Sequence, residues 1–246
     1  VEVLEAAGFT VVIPRANLCC GRPLYDFGML DLARRLLLDG LSALSREIAA
    51  GVPLVGLEPS CVAVFRDELP NLLAGDEHAR RLHRQTYTLA ELLQQRAGAW
   101  EAPRLERRTA IVQPHCHHRS IMSFDADREL LARLGLEAEV LDAGCCGMAG
   151  SFGFEAGKYD VSMAIGERAL LPRVRRAPPD ALILADGFSC RTQLLDGAAR
   201  PAMHMAEAAH MALDEARRRA LAPRRLARAL YVTAPLAAPA ERRRTE

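Results

Sequence analysis

The 246-residue sequence predicts an α/β fold made of two tandem, similar domains, each a mainly parallel sheet flanked by helices. Short apolar or β-branched segments alternate with longer segments of helical periodicity, which is typical of α/β units. A Cys-Cys-Gly motif also occurs twice, at residues 19–21 and 145–147. Each copy is followed about 40 residues later by another cysteine, Cys61 or Cys190, so the chain has an internal repeat.

The strands are predicted where apolar or β-branched residues precede a loop, at residues 9–13, 53–57, 110–113, 138–141 and 181–185. Helices are predicted between them, where apolar residues recur every three or four positions, at residues 1–7, 30–50, 125–134, 158–174 and 201–219. The alternation favours parallel pairing, because a helix between two strands returns the chain to the same end of the sheet.

The repeat divides the chain near residues 98–108, where Gly, Trp, Pro and charged residues interrupt the pattern. We therefore expect a first domain at 1–100, a second at 108–215 and a flexible tail at 216–246. The first domain is expected to be truncated at its amino terminus. The second half has a predicted strand and Cys116 about 30 residues before its Cys-Cys-Gly, whereas the first half has only about 18 residues there.

Every cysteine follows a predicted strand. Ligands bind at the carboxyl edge of parallel sheets, because loops and helix amino termini converge there. We therefore expect the thiols of each half to gather at this edge, as Cys19, Cys20 and Cys61 in the first half and Cys116, Cys145, Cys146 and Cys190 in the second.

Composition excludes several classes of function. The 32 basic and 31 acidic residues nearly balance, so no overall charge favours nucleic acid as a partner. The sequence contains neither an apolar stretch of membrane-spanning length nor a signal peptide, which predicts a cytoplasmic location. Lasting disulfides are rare in that compartment, so metal ligation or redox chemistry is the better explanation of the cysteines.

Cys116, Cys145, Cys146 and Cys190 form the predicted metal-ligand set. Four thiolates suit an iron-sulfur cluster, and zinc accepts the same sulfurs. His115 and His117 flank Cys116 and are further candidate ligands. They and the neighbouring His118 could equally be proton carriers or plain loop residues. Buried hydrophobic cysteines are the alternative, which the repeated motif disfavours.

Other residues carry weaker signals. Cys19, Cys20 and Cys61 predict a second site that is either completed from elsewhere or vestigial. Arg22 and Arg191 are interpreted as solvated surface residues, and the alternative is that each offsets the charge of a thiolate cluster or holds a carboxylate substrate. His204 and His210 lie on a predicted packing helix and are given no site.

The motifs resemble those of the cysteine-rich CCG family, which includes the cysteine-rich subunit of heterodisulfide reductase, iron-sulfur subunits of glycolate oxidase and anaerobic glycerol-3-phosphate dehydrogenase, and lactate-utilisation proteins. The resemblance rests on Cys19-Cys20-Gly21-Arg22-Pro23, His115-Cys116-His117, Cys145-Cys146-Gly147-Met148-Ala149-Gly150 and Phe188-Ser189-Cys190-Arg191. The chain is particularly similar to the carboxyl-terminal part of fused FAD and iron-sulfur oxidoreductases of the D-lactate or glycolate dehydrogenase type.

This resemblance implies an iron-sulfur electron-transfer module of a flavin-dependent 2-hydroxy-acid oxidoreductase that passes electrons to a quinone or disulfide acceptor. It implies [4Fe-4S] chemistry, with FAD on another domain or subunit, a ferredoxin-like partner domain and a peripheral contact with a membrane quinone pool. The chain alone is not expected to be active. Cys61 and Cys190 lack the second cysteine of the family's Cys-x-x-Cys, which argues against the five-thiolate clusters of heterodisulfide reductase.

Two alternatives remain at this point. The thiols could bind zinc in a structural or docking module, or the adjacent Cys145 and Cys146 could reduce a disulfide substrate without any metal.

Overall fold

The computed structural model describes residues 1–105 and 108–221 and confirms the α/β class. Its strands form two small parallel sheets. One sheet pairs β1 (Leu54–Val55) with β2 (Thr86–Tyr87). The other has the order β4-β3-β5, with β3 at Arg108–Val112, β4 at Leu136–Val140 and β5 at Leu182–Leu184.

Helices surround both sheets. In the first half they are α1 (Glu2–Ala6), α2 (Arg22–Asp26), α3 (Leu30–Ala43), α4 (Ser45–Ala49), α5 (Pro59–Ala63), α6 (Leu69–Leu72), α7 (Glu77–Gln85) and α8 (Leu89–Arg96). In the second half they are α9 (Cys116–Ile121), α10 (Asp125–Arg133), α11 (Tyr159–Glu167), α12 (Leu170–Arg175), α13 (Phe188–Ala198) and α14 (Met205–Leu221).

Strand β3 is the centre of the larger sheet. It pairs along its full length with β4 and through its last three residues with β5. Ala110 and Val112 face one core cluster, while Ile111 faces another, and all three are almost fully buried. Burial on both faces explains why the last three residues of this strand are apolar without alternation.

The predicted strand at residues 9–13 was wrong. These residues are irregular, and Val12 and Ile13 are 67% and 71% exposed. A strand is stabilised by hydrogen bonds to a neighbour, and no backbone hydrogen bond in the described part of the chain uses the amides of residues 10–13. Composition alone therefore did not produce a strand here.

Two predicted helices are each divided in the structure. The segment 30–50 forms α3 and α4, which meet at Leu44. The segment 158–174 forms α11 and α12, separated where Ala169 adopts φ −151°, ψ −47°. The predicted tail also began too early, because α14 continues to Leu221; residues 222–246 lie outside the described chain.

The largest core cluster draws residues from both halves. Leu89, Ala90 and Leu93 of α8 pack there with residues of β3, α10 and α14. Helix α8 packs against α10, and α14 packs against α1, so each half covers a helix of the other. The division into domains 1–100 and 108–215 stays a prediction.

Across residues 1–105 and 108–221, no helix combines the length and the apolar character that crossing a bilayer requires.

The shared core predicts that the two halves unfold together. Leu93 is fully buried, so Leu93→Ala should lower the free energy of unfolding by about 2–5 kcal/mol through lost contacts and a cavity. Urea unfolding followed by circular dichroism would measure the change. Leu195→Ala is the control, because Leu195 is 54% exposed and its truncation should change stability little. Two separate transitions would contradict the shared core.

Candidate functional site

Four cysteines of the second half lie on segments that follow the strands of the larger sheet. Cys116 begins α9, which follows β3 after a short loop. Cys145 and Cys146 lie in the loop after β4, and Cys190 lies in the first turn of α13, beyond β5. Because β3, β4 and β5 are parallel, these segments leave the sheet in the same direction.

The four thiols interact in series. Cys145 interacts with both Cys116 and Cys146, and Cys146 interacts in turn with Cys190. The pKa of Cys145 is lowered because the thiols of Cys116 and Cys146 donate hydrogen bonds to its sulfur. The pKa values of Cys116 and Cys146 are raised by the same bonds and by burial. The arrangement favours a negative charge at the centre of the set, as a cation-binding thiolate group requires.

Gly147 shapes the loop that carries Cys145 and Cys146. Its φ is +101°, a conformation that side chains disfavour, and a Cβ there would lie 2.1 Å from the carbonyl oxygen of Ser162. Its N–H donates to the sulfur of Cys145 at 3.3 Å. Glycine thus permits a tight turn that directs a backbone amide at a thiol.

The first half contains a smaller thiol group. The sulfurs of Cys20 and Cys61 are 2.9 Å apart, and Cys19 lies on the surface beside them in sequence. The hydrogen bond from Cys61 lowers the pKa of Cys20 to about 7. Gly21, at φ +78°, donates its N–H to Cys19 at 3.4 Å, as Gly147 does to Cys145. All seven cysteines are free thiols.

The two candidate histidine ligands differ in their surroundings. His115 is the N-cap of α9, and its Nδ1 accepts the N–H of His117 at 3.2 Å. Burial lowers the pKa of His115 to about 4, so its ring is neutral near pH 7. Burial also lowers the pKa of His117. Neutral imidazole is the form that binds metals, and the Nδ1 of His115 is already occupied.

Glu58 connects the two thiol groups. It is the N-cap of α5, the helix that carries Cys61, and accepts hydrogen bonds from the N–H and hydroxyl of Ser60. Its other oxygen accepts the N–H of Phe188 at 2.8 Å, at the start of the helix that carries Cys190. One carboxylate therefore touches the amino termini of two cysteine-bearing helices. Helices α5 and α9 also pack together.

The surface interpretation of Arg22 was wrong. Its guanidinium forms ion pairs with Asp26, at 2.7 Å, and with the buried carboxylate of Glu68, which lies in a π-helical turn at Val64–Glu68. Its positive charge also contributes to the lowered pKa of Cys20. Arg191 donates to the carbonyl oxygens of Ala185 and Asp186, and so holds the end of β5.

A buried polar cluster contains His118, which the sequence singled out beside Cys116, but the sequence reasoning did not predict the cluster itself. His118 and Asp127 are each 1% exposed, and their side chains approach to 3.2 Å. Atoms of His118, Asp127 and Asp186 that could bind a metal lie within 4.8 Å of one another. Burial raises the pKa of Asp127, and the pKa of His118 is raised by Asp127 in spite of its burial. No local pattern groups these three residues, because they come from three separate segments.

His204 joins this cluster from the second half, although the sequence pattern assigned it only to a packing helix. Its Nε2 donates to the carbonyl oxygen of Leu57 at 2.7 Å and lies 3.5 Å from Asp186. Its Nδ1 accepts the N–H of Ala206 at 2.9 Å, which fixes the tautomer. His204 therefore links the end of β1 to the segment that enters α14. His210 lies on α14 beside Glu2.

Comparison with known proteins identifies the family of this chain. The model of the CCG cysteine-rich domain matches residues 1–66 and 111–194, which include all seven cysteines. The chain belongs to the CCG cysteine-rich domain family. The resemblance deduced from the sequence motifs is confirmed.

Curated relatives of this CCG protein include whole dehydrogenases, one subunit of a dehydrogenase and a lactate utilization protein. The anaerobic glycerol-3-phosphate dehydrogenase of Escherichia coli K12 has a subunit that is 30% identical over 79% of this chain and 49% of its own length. D-2-hydroxyglutarate dehydrogenase of Pseudomonas putida is 31% identical over 71% of this chain and 16% of its own length. Lactate utilization protein A of Bacillus velezensis is 29% identical over 66% of this chain and 70% of its own length.

The match to the glycerol-3-phosphate dehydrogenase component thus spans about half of that relative.

Gly147→Ala should destabilise the protein more than Gly144→Ala. Both glycines have positive φ, so each alanine costs about 1–2 kcal/mol in backbone strain. A Cβ at residue 147 would also collide with Ser162, whereas a Cβ at residue 144 would meet no atom of a non-neighbouring residue within 4 Å. Gly147→Ala should therefore cost about 2–5 kcal/mol in all. Urea unfolding of both variants measures the difference. Equal losses would contradict the role of close packing at Gly147.

Glu58→Ala should loosen both helices that Glu58 caps. Loss of an N-cap acceptor costs about 0.5–2 kcal/mol, so amide hydrogen exchange should accelerate in the first turns of both α5 and α13. Glu58→Gln is the matched control, because its amide oxygen can still accept one of the bonds and should preserve part of the protection. Faster exchange in α5 alone would contradict the contact with Phe188.

Proposed function

We propose that the chain is an iron-sulfur electron-transfer module of a flavin-dependent 2-hydroxy-acid oxidoreductase. The observation that carries the proposal is that Cys116, Cys145, Cys146 and Cys190 lie on segments that follow three paired parallel strands, and the lowered pKa of Cys145 is consistent with it. Thiolates are the preferred ligands of iron-sulfur clusters, and four of them form the commonest set. The donor set therefore fits the cluster that the family resemblance implies.

When bound, the cluster would supply one-electron transfer. The residues of this chain would hold it and adjust its environment. The N–H of Gly147 directs a hydrogen bond at one ligand sulfur, and burial of Cys146 and Cys190 limits the access of water. Hydrogen bonds to sulfur and exclusion of solvent are both known to tune cluster potentials.

The parent activity is proposed from the relatives. Their names concern glycerol-3-phosphate, D-2-hydroxyglutarate and lactate, and the last two of these are 2-hydroxy acids. We propose that flavin chemistry takes place on another domain or subunit, that a ferredoxin-like [4Fe-4S] domain is a further partner, and that a quinone or disulfide accepts the electrons. A cytoplasmic location with a peripheral contact to a membrane quinone pool belongs to the same proposal. The chain alone would not oxidise a substrate.

The smaller group of Cys19, Cys20 and Cys61 supports a second site. Its two closest sulfurs are 2.9 Å apart, and the ion-paired guanidinium of Arg22 lies near them. Three thiols leave a cluster one ligand short of the usual four. Metal analysis distinguishes a second loaded site from a vestigial one.

Anaerobic expression followed by iron, sulfide and zinc analysis tests the proposal. We expect iron with equimolar sulfide, broad visible absorption and an electron paramagnetic resonance signal on reduction. Cys145→Ser should remove at least about nine-tenths of the iron held by the second group, because Cys145 contacts two of the other ligands.

Cys19→Ser is the matched control, because Cys19 is exposed and belongs to the first group. It should leave the signal of the second group unchanged. Zinc without iron would replace this proposal with the structural or docking module. Metal-free protein that reduces disulfides with thiol turnover would replace it with a dithiol reductase.

A further inference from the structure

A large apolar groove opens beside β1 in the first half. Its volume is about 1620 Å³, and its lining includes residues 9–16, residues 52–55 and Leu57. Four of these lining side chains are apolar and exposed, namely Val12, Ile13, Val52 and Leu57. Exposed apolar surface on this scale marks a binding surface.

The second half shows which element occupies the corresponding place there. Strand β5 ends six residues before Cys190, and β1 ends six residues before Cys61. Strand β4 ends five residues before Cys145, and Pro14 lies five residues before Cys19. Residues 10–14 therefore correspond to β4, and β1 corresponds to β5. In the second half, β3 lies between these two strands.

The edge of β1 that pairs with β2 supports the same correspondence. β1 pairs in parallel with β2, and α8 begins two residues after Tyr87. β5 pairs in parallel with Met203 at Leu184, and α14 begins two residues after Met203. This edge of β1, like the corresponding edge of β5, thus has a hydrogen-bonded partner. Leu54 and Val55 of β1 also line the groove, which lies at its other edge.

The groove also has the covering helices that a central strand needs. In the second half, α8 and α10 cover one face of β3, while residues of α12 and α13 cover the other. Residues of α1 and α14 line the groove, as do residues at the end of α3 and in α4. Helices α1 and α14 pack together as α10 and α8 do.

We propose that this groove binds an apolar β-strand that pairs in parallel between residues 10–14 and β1. The proposed strand corresponds to β3 and would enter α1, because α1 corresponds to α10 and α10 follows β3 along the chain. Val1 and Glu2 line the groove, so a strand bound there would lie beside the start of α1. The inference needs no metal and is independent of the proposed function.

Strand insertion also explains the irregular segment 9–13. The amides of residues 10–13 lack backbone partners in the described chain, although the composition of the segment favours a strand. An inserted strand would supply those partners and convert residues 10–14 into an edge strand. β1 would then pair on both sides, as β5 does.

A fusion tests the inference on the full chain. A copy of residues 108–126 is placed directly before Val1, with Cys116→Ser in the copy so that no metal ligand is added. Amide hydrogen exchange of residues 10–13 should slow at least about tenfold, because these amides become hydrogen-bonded. The midpoint of thermal unfolding should rise as well.

The matched control fusion carries Ile111→Asp in the copied strand, which places a carboxylate at a buried position and should abolish the protection. If the fusion precipitates, the peptide of residues 108–115 added in trans replaces it in the same measurement. Unchanged exchange at residues 10–13, or equal protection by the control, would overturn the proposal. Protection in the unfused chain together with dimerisation would overturn it in favour of a second copy.

Discussion

The parallel pairing of β3 with both β4 and β5 is the constraint on which the larger thiol group depends. Cys116, Cys145 and Cys190 are far apart in sequence, and the strands that precede them align their exits on one side of the sheet. Pairing of β3 depends in turn on its apolar residues, because Ala110, Ile111 and Val112 are buried between two layers of helices. Core packing and ligand geometry are therefore coupled in this protein.

The contact between the two halves includes polar bonds beside the shared apolar core. Glu58 caps a helix in each half, and His204 donates to the carbonyl oxygen of Leu57. Behind them, His118 and Asp127 form a buried pair. The bonds of Glu58 and His204 join residues of different halves, so they favour one relative arrangement of the halves over others.

The thiol groups lie in tight turns and have hydrogen bonds that favour their thiolate form. Glycines at positive φ hold the Cys-Cys turns and direct N–H groups at Cys19 and Cys145. Hydrogen bonds between thiols lower the pKa values of Cys20 and Cys145, which favours the thiolate form that a metal requires. The repetition of both features in two halves indicates that they belong to the design of the CCG domain and are not local accidents.

The sequence by itself determined the α/β class, seven of the fourteen α-helices of the described residues, four of the five strands and the family, because periodicity and the repeated Cys-Cys-Gly are local signals. It also predicted that the cysteines gather by their positions after strands. Tertiary structure decided the roles of Arg22, Glu58, His118 and His204, whose tertiary partners lie between 9 and 147 residues away. It also determined that residues 9–13 are irregular. A strand forms only when a neighbouring strand shares its backbone hydrogen bonds, and the sequence of one strand does not specify that neighbour.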